Sequence, residues 1–263
     1  MNGSLFFVSI PDHNSRYLGV ESYNKFYNAK ISGEAGLSPK VVQYLPDQRV
    51  LVLEFLPIAV CSAESLQCLA VQHRLVHTMK MLHGGASFWQ DFDMFRLIEF
   101  YMKIVKDREL VLPAGYADYK EQVWGMGEAL APYWEKIVPC HNDLVPENVM
   151  DDGYRVLLID FDYSGNNDPC FDLGSISTEA GYDDAQVREL ARAYYGLVSE
   201  KIVARIHLHS ILGDVGWSLW SVIQAKILDI DFNEYGLTRW NRAVERMDPG
   251  EFERWLRKVR SKK

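Results

Sequence analysis

Between Pro139 and Glu179 the chain reads PCHNDLVPENVM and then DDGYRVLLIDFDYSGNNDPCFDLGSISTE. Two short apolar segments, Val149-Met150 and residues 156–159, flank Asp151-Asp152-Gly153. That is a hairpin pattern, with glycine where a positive φ is needed. Each arm ends in polar groups that apolar burial does not call for. His141, Asn142, Asp143 and Asn148 precede the first arm, and Asp160 closes the second. A hairpin brings its two ends together, so Asp143, Asn148 and Asp160 are expected to converge. Two carboxylates and an amide can hold a hard divalent cation through oxygen, and such a cation offsets the repulsion between the acids and neutralises phosphate.

This division of labour suits phosphoryl transfer, in which one carboxylate deprotonates an attacking hydroxyl while an amide and a second carboxylate hold magnesium on the nucleotide phosphates. Asp143 is then the catalytic base, with Asn148 and Asp160 as metal ligands. A lone Asp or Asn in a loop more often caps a turn. The set placed on both sides of one hairpin outweighs that reading.

The HNDLVPENVM and LLIDFDYSG segments resemble the catalytic core of the choline/ethanolamine kinase family, within the wider aminoglycoside-phosphotransferase and protein-kinase-like superfamily. The run through NNDPCFDLGSISTE is similar to the bacterial choline-kinase-like branch. The resemblance extends from about Ser4 to Trp240 and is strongest in the middle. It implies an α+β, protein-kinase-like two-lobed fold, with a shortened N-terminal β lobe over 1–60 and a large, mainly helical lobe over 61–263. It also implies transfer of the γ-phosphate of ATP, with Mg2+, to the hydroxyl of choline or a related amino alcohol. His141 becomes a structural member of the catalytic loop, and Asp172 an anchor that accepts hydrogen bonds from that loop's backbone. Asp162 is placed to face a second metal or the substrate, with turn capping as the alternative. Glu179 lines the alcohol pocket or caps its helix.

The N-terminal region departs from the family pattern. SLFFVSI reads as a strand closed by Pro11, DHNS as a turn and residues 20–34 as a helix. VVQYL and VLVLEFL read as an antiparallel pair leading through Glu54 into a hinge where adenine meets the backbone. Two further strands and a glycine-rich loop would precede these in the family. The strand position that carries a basic residue for the α and β phosphates matches Ser9, and its acidic partner on the helix matches Glu21. Serine cannot replace that charge. Three explanations fit: a truncated or late-started chain, a reduced nucleotide lobe, and a weak or inactive enzyme. The first and third are favoured. A non-catalytic kinase-like binding protein is therefore the alternative function, and a kinase for ethanolamine, thiamine or an aminoglycoside is a third.

In the C-terminal quarter, Trp217, Trp220 and Gln224 fall at i, i+3 and i+7 of WSLWSVIQ and share a helical face. The segment is similar to the one that supplies the cage tryptophans of choline kinases, where indoles hold a methylated ammonium by cation–π attraction. Indoles at this spacing otherwise pack in a core. A helix break is expected at Gly213-Asp214, and one continuous helix over residues 62–82.

Composition excludes other classes. The 263 residues carry a net charge of -8 and show no basic stripe with interleaved aromatics, so a nucleic-acid partner is not expected. The four cysteines, Cys61, Cys68, Cys140 and Cys170, match no zinc spacing and read as reduced thiols of a cytoplasmic protein. His73 and His77 lack the glutamate of a metalloprotease motif, and His83 reads as a surface or core-edge residue. No apolar run reaches the ~18 residues of a membrane span, and no secretion signal is evident. Monomer and homodimer both remain open.

Overall fold

The computed structural model describes residues 5–12, 14–228 and 230–261. Ser4 of the expected first strand and His13 of the expected turn lie outside the described residues. Two compact units form. One comprises Met1–His13, Val20–Phe92 and Ile137–Leu197, and the other Asn14–Gly19, Asp93–Lys136 and Val198–Lys263. The expected partition at residue 60 sets the three-stranded sheet and α1 apart from the rest of the chain and stands as a proposal about lobes. The compact units are cut differently because the small sheet packs with the segment that carries the hairpin. Leu158 N–H donates to Leu37 O at 2.9 Å, and Cys61 N–H to Val149 O at 2.7 Å.

In the first unit, β1 (Phe6–Ser9), β2 (Val41–Leu45) and β3 (Val50–Glu54) form an antiparallel sheet in the order β1-β3-β2. Helix α1 (Ser22–Glu34) starts at Glu21, whose carboxylate accepts from the backbone N–H groups of Tyr23 and Asn24 and so satisfies two of the orphan donors of the first turn. The expected helix over 62–82 is two helices, α2 (Ala63–Leu66) and α3 (Leu69–His83). The break has a tertiary cause. The Leu66 carbonyl accepts from Tyr182 Oη at 2.6 Å and from Gln72 Nε2 at 3.2 Å. The expected hairpin is present as β5 (Val149–Asp151) and β6 (Val156–Leu158), paired antiparallel, with Gly153 at φ 87° in the turn. It packs on α3, where Arg74 grips Asp151 through two hydrogen bonds of 2.8 and 2.6 Å. A second ribbon, β4 (Val138–Cys140) with β7 (Gly165–Asn167), carries the two ends of the site-bearing segment. Helices α6 (Pro169–Glu179) and α7 (Asp184–Tyr195) complete the unit.

In the second unit, α4 (Met94–Asp107), α5 (Lys120–Leu130), α9 (Asn233–Arg246) and α10 (Pro249–Arg260) surround α8 (Glu200–Ile223). Helix α8 is buried from Ile206 to Leu219, as an element apolar on every face must be. The break expected at Gly213-Asp214 does not occur. Asp214 is wholly buried and its carboxylate is met by Arg239 and Arg242, so the chain keeps its helical course through a charge that is paired. The glycines nearby serve close packing. A Cβ on Gly236 of α9 would sit 1.6 Å from Ser221 Oγ and 3.4 Å from Ser218 O of α8.

Among the described residues no helix is long and apolar enough to cross a membrane.

Candidate active site

The loop expected to be catalytic leaves β4 at His141. Its shape is fixed by one buried carboxylate, because Asp172 on α6 accepts from His141 N–H at 2.8 Å and Asn142 N–H at 2.7 Å. His83 Nε2 lies 2.9 Å from the same carboxylate, and Tyr194 Oη lies 2.6 Å from His83 Nδ1. Burial would raise the Asp172 carboxyl, but the bond and charge of His83, with the His141 contacts behind them, hold it below the usual carboxylate range. Asn142 adopts a left-handed φ of 65°, which Asn tolerates better than most residues. Its amide donates to Tyr163 O at 3.0 Å and Gly165 O at 3.1 Å, and its oxygen accepts from Asn167 at 2.9 Å. His141 is buried, its pKa lowered chiefly by that burial, and its Nε2 bonds to Ile159 O at 2.9 Å. This ring, tied to the backbone, holds the loop against the second hairpin arm.

The loop then presents Asp143, half-buried. Asn148 Nδ2 donates to Asp143 O at 2.9 Å and to Asp143 Oδ2 at 3.3 Å. Both partners are acceptors, so the amide must turn its NH2 toward Asp143 and its oxygen away from it. Ile159 N–H donates to Asn148 O at 3.0 Å, which extends the hairpin by one pair and sets Asn148 and Asp160 at the same end. Asp160 is left-handed, at φ 62°. Asn148 thus touches Asp143, and the same residue lies with Asp160 on one cavity wall.

Asp160 and Asp162 share a cation already. Lys25 Nζ lies 3.5 Å from Asp160 Oδ1 and forms a closer ion pair with Asp162. Burial first, and then the Asp160 charge, push the Asp162 carboxyl up to about 6, against the pull of Lys25. Burial disfavours the Lys25 ammonium, but Asp162 and then Asp160 hold its pKa above the ordinary lysine value. Two adjacent acids that draw a buried ammonium between them form a donor set suited to a hard divalent cation. His83, Cys140 and Asp172 also cluster, but all three are buried and the His83–Asp172 pair is committed to holding the loop.

Lys25, Asn148 and Asp160 line a cavity of ≈510 Å3. Its apolar lining includes Phe7, Leu51, Leu53, Met150 and Leu158, and the segment from Glu54 to Ala59 forms one wall. Its polar lining includes Ser9, Lys25, Asn148 and Asp160. A largely apolar slot with a few convergent polar groups is the form of a small-molecule site.

Glu21 requires a correction. It was expected to face Ser9 as the acidic partner on the helix. The structure places its carboxylate at the N-terminus of α1, spent on the cap. The helical residue that faces Ser9 is Lys25, whose Nζ donates to Ser9 Oγ at 3.1 Å. The reason is phase, since α1 begins only after Glu21 and turns the next residue on that face, one turn later, toward the strand. Lys25 and His83 are the two functional or supporting residues that sequence reasoning missed. The i to i+4 spacing of Glu21 and Lys25 was the available signal for the first.

The remaining expected residues lie as follows. Glu179 is half-buried at the C-terminal end of α6. Trp217, Trp220 and Gln224 belong to the second unit. Trp217 is buried in α8, and Trp220 makes edge contacts with Phe232 at 4.9 Å and Tyr235 at 6.0 Å. Gln224 caps α8 with α-helical φ and ψ and its N–H bonds to Trp220 O, so it stays in the helical spacing of the indoles, and a short π-turn over Gln224–Leu228 follows. Trp220 Nε1 and Gln224 Oε1 are both buried without a hydrogen-bond partner among the described residues.

Residues 20–191 match the choline/ethanolamine kinase family. The chain belongs to that family. Membership carries a general activity, ATP-dependent phosphoryl transfer to a small molecule, and the α+β two-lobed kinase-like fold. A crystal structure of a choline/ethanolamine kinase family protein from Mesorhizobium loti is 31% identical, with a TM-score of 0.86 over 98% of this chain and 87% of that one. Protein LicA of Haemophilus influenzae is 24% identical over 94% of this chain and 96% of its own length. Ethanolamine kinase 2 of Rattus norvegicus is 24% identical over 85% of this chain and 65% of its own. The choline kinase LicA of Streptococcus pneumoniae has the same fold, at 24% identity and a TM-score of 0.83 over 94% of this chain and 86% of that one.

Proposed function

We propose that this kinase transfers the γ-phosphate of ATP to the hydroxyl of choline or a closely related amino alcohol. The observation that carries it is that Asn148, which contacts Asp143 at 3.3 Å, lines one largely apolar cavity together with Lys25 and Asp160. A bound magnesium ion, held by Asn148 and Asp160, would neutralise the phosphate charge. Asp143 accepts the hydroxyl proton as the alcohol oxygen bonds to the γ-phosphorus. The bond from that phosphorus to the β–γ bridging oxygen breaks, and its electron pair leaves with ADP. Asn148 holds the Asp143 carboxylate in orientation by hydrogen bonding to it. The wall from Glu54 to Ala59 takes the adenine, with its apolar neighbours excluding water.

The acceptor assignment rests on residue types and on the relatives. Those matched carry the names of choline and of ethanolamine kinases. In the second unit Trp217 and Trp220 are the indoles available to a cationic head by cation–π attraction, and in the first unit Glu179 and Asp162 are the acids available to one by charge. Gln224 and Trp220 each offer a buried polar atom for a ligand or water. A panel of choline, ethanolamine, thiamine and an aminoglycoside, assayed for ADP release with product identified by mass, tests the assignment. Phosphorylation of choline or ethanolamine in preference to the other two is expected. Preference for thiamine or the aminoglycoside would overturn it.

A second reading, a kinase-like protein that binds without turnover, draws on Ser9, which leaves the strand without its cation. Mg-ATP calorimetry with and without choline separates the two, since tight alcohol binding with no nucleotide binding would favour the second.

A further inference from the structure

We propose that the phosphate-binding cation of this kinase has moved from the strand to the helix, and that Lys25 supplies it. The proposal rests on the kinase reading above. Among the described residues that line the cavity, Lys25 is the one basic side chain. It lies where a strand-borne cation would be needed. Its Nζ is 3.1 Å from the Oγ of Ser9, the neutral residue at the strand position in question. Ser9 itself is fixed in the sheet by its pairing with Leu51.

The helix that delivers Lys25 is held firmly in place. Asn24 Nδ2 donates to Ser164 O at 2.8 Å, and Asn28 Nδ2 donates to Ser164 Oγ at 2.9 Å. Asn28 Oδ1 accepts from Trp89 N–H at 3.0 Å. These buried bonds tie α1 to the segment that follows Asp162, so the ammonium is delivered within reach of the two acids rather than on a mobile arm. The lysine side chain is 19% exposed and reaches Asp160 and Asp162. Without nucleotide the ammonium bridges Asp160 and Asp162. With a divalent cation held by Asn148 and Asp160, the Lys25 stem would let the ammonium turn from Asp160 to the α and β phosphates, with Ser9 Oγ in hydrogen-bond reach of it. A serine is small enough to leave the stem that path, which a lysine on the strand would fill.

The test is binding of Mg-ADP and of phosphate-free adenosine to the full chain by calorimetry. Lys25→Met is expected to weaken Mg-ADP roughly 10- to 100-fold, the value of one charge-assisted contact, and to leave adenosine unchanged. Ser9→Lys combined with Lys25→Met, which returns the cation to the strand, is expected to recover most of the loss. Lys25→Gln keeps a hydrogen-bond donor without charge and must behave as Lys25→Met does, so a folding defect in one variant does not decide the question. Equal Mg-ADP affinity in wild type and Lys25→Gln would overturn the proposal, as would a parallel loss of adenosine. Absence of Mg-ADP binding by the wild type would overturn the kinase reading itself, whereas binding that is indifferent to Lys25 overturns only the relocation.

Discussion

At Asp172 one side chain accepts two backbone N–H groups and a histidine, all buried. Asparagine offers one acceptor oxygen and would turn an NH2 toward a donor. Asp172→Asn is therefore expected to cost ~3–5 kcal/mol, as for loss of a buried charged partner, read as a lower urea midpoint with unchanged m-value. A loss below about 1 kcal/mol would show that the loop is held by other contacts. The residues around it differ in how legible they were. Asp143, Asn148 and Asp160 could be read because their spacing brackets one hairpin, and a hairpin's ends must meet. The Asp172 anchor was legible only through the family resemblance. His83 was not legible at all, because its partner lies 89 residues away and nothing local marks it. Lys25 was missed through helix phase, since the acid at Glu21 fitted the expected chemistry but falls one turn short of the face that meets Ser9.

Elements were legible where local chemistry decides them. Gly153 sets the hairpin turn, and the pairing of β2 with β3 follows from two apolar runs about a short polar link. The hairpin also depends on Arg74 of α3, whose hydrogen bond, set against a smaller cost of burial, holds the Asp151 carboxyl below its ordinary value. A depressed folded pKa gives stability that is fully present above the unfolded carboxylate's pKa of ~3.9 and is lost as pH falls through the folded value. Asp151→Asn is accordingly expected to cost roughly 1–2 kcal/mol near neutrality. The difference from wild type should stay level down to about pH 5 and close in stronger acid, as followed by denaturant titration across pH. A difference that grew on acidification would contradict the pairing.

Element boundaries failed where a distant partner overrides local propensity. The α2–α3 break depends on Tyr182, 116 residues beyond Leu66, and the unbroken α8 depends on arginines of α9 meeting Asp214. The α8–α9 contact is itself testable. Gly236→Ala must push the helices apart at Ser221 and is expected to destabilise by about 1–3 kcal/mol, measured by thermal and urea unfolding. An unchanged midpoint would show that the helices separate freely.

For the molecule as a whole, composition set only limits: a net charge of -8 without a basic stripe, and no helix among the described residues that could span a membrane. The family was legible because two motifs, HNDLVPENVM and LLIDFDYSG, fall on the two sides of one hairpin, and the match over residues 20–191 places the chain in it. The acceptor was less legible, since indoles at helical spacing read equally as packing and Trp220 does pack against Phe232 and Tyr235.

The claim on which the rest depends is that Asp143 takes the proton in a phosphoryl transfer supported by the cluster at the hairpin's end. It is tested most directly by following γ-phosphate transfer from Mg-ATP to choline in wild type and Asp143→Asn, with Mg-ATP affinity measured on both. The expected result is stoichiometric phosphorylated alcohol and ADP from the wild type, a fall of roughly 100-fold or more in the variant, and nucleotide affinity within a few-fold. Equal transfer by the two proteins would contradict the account.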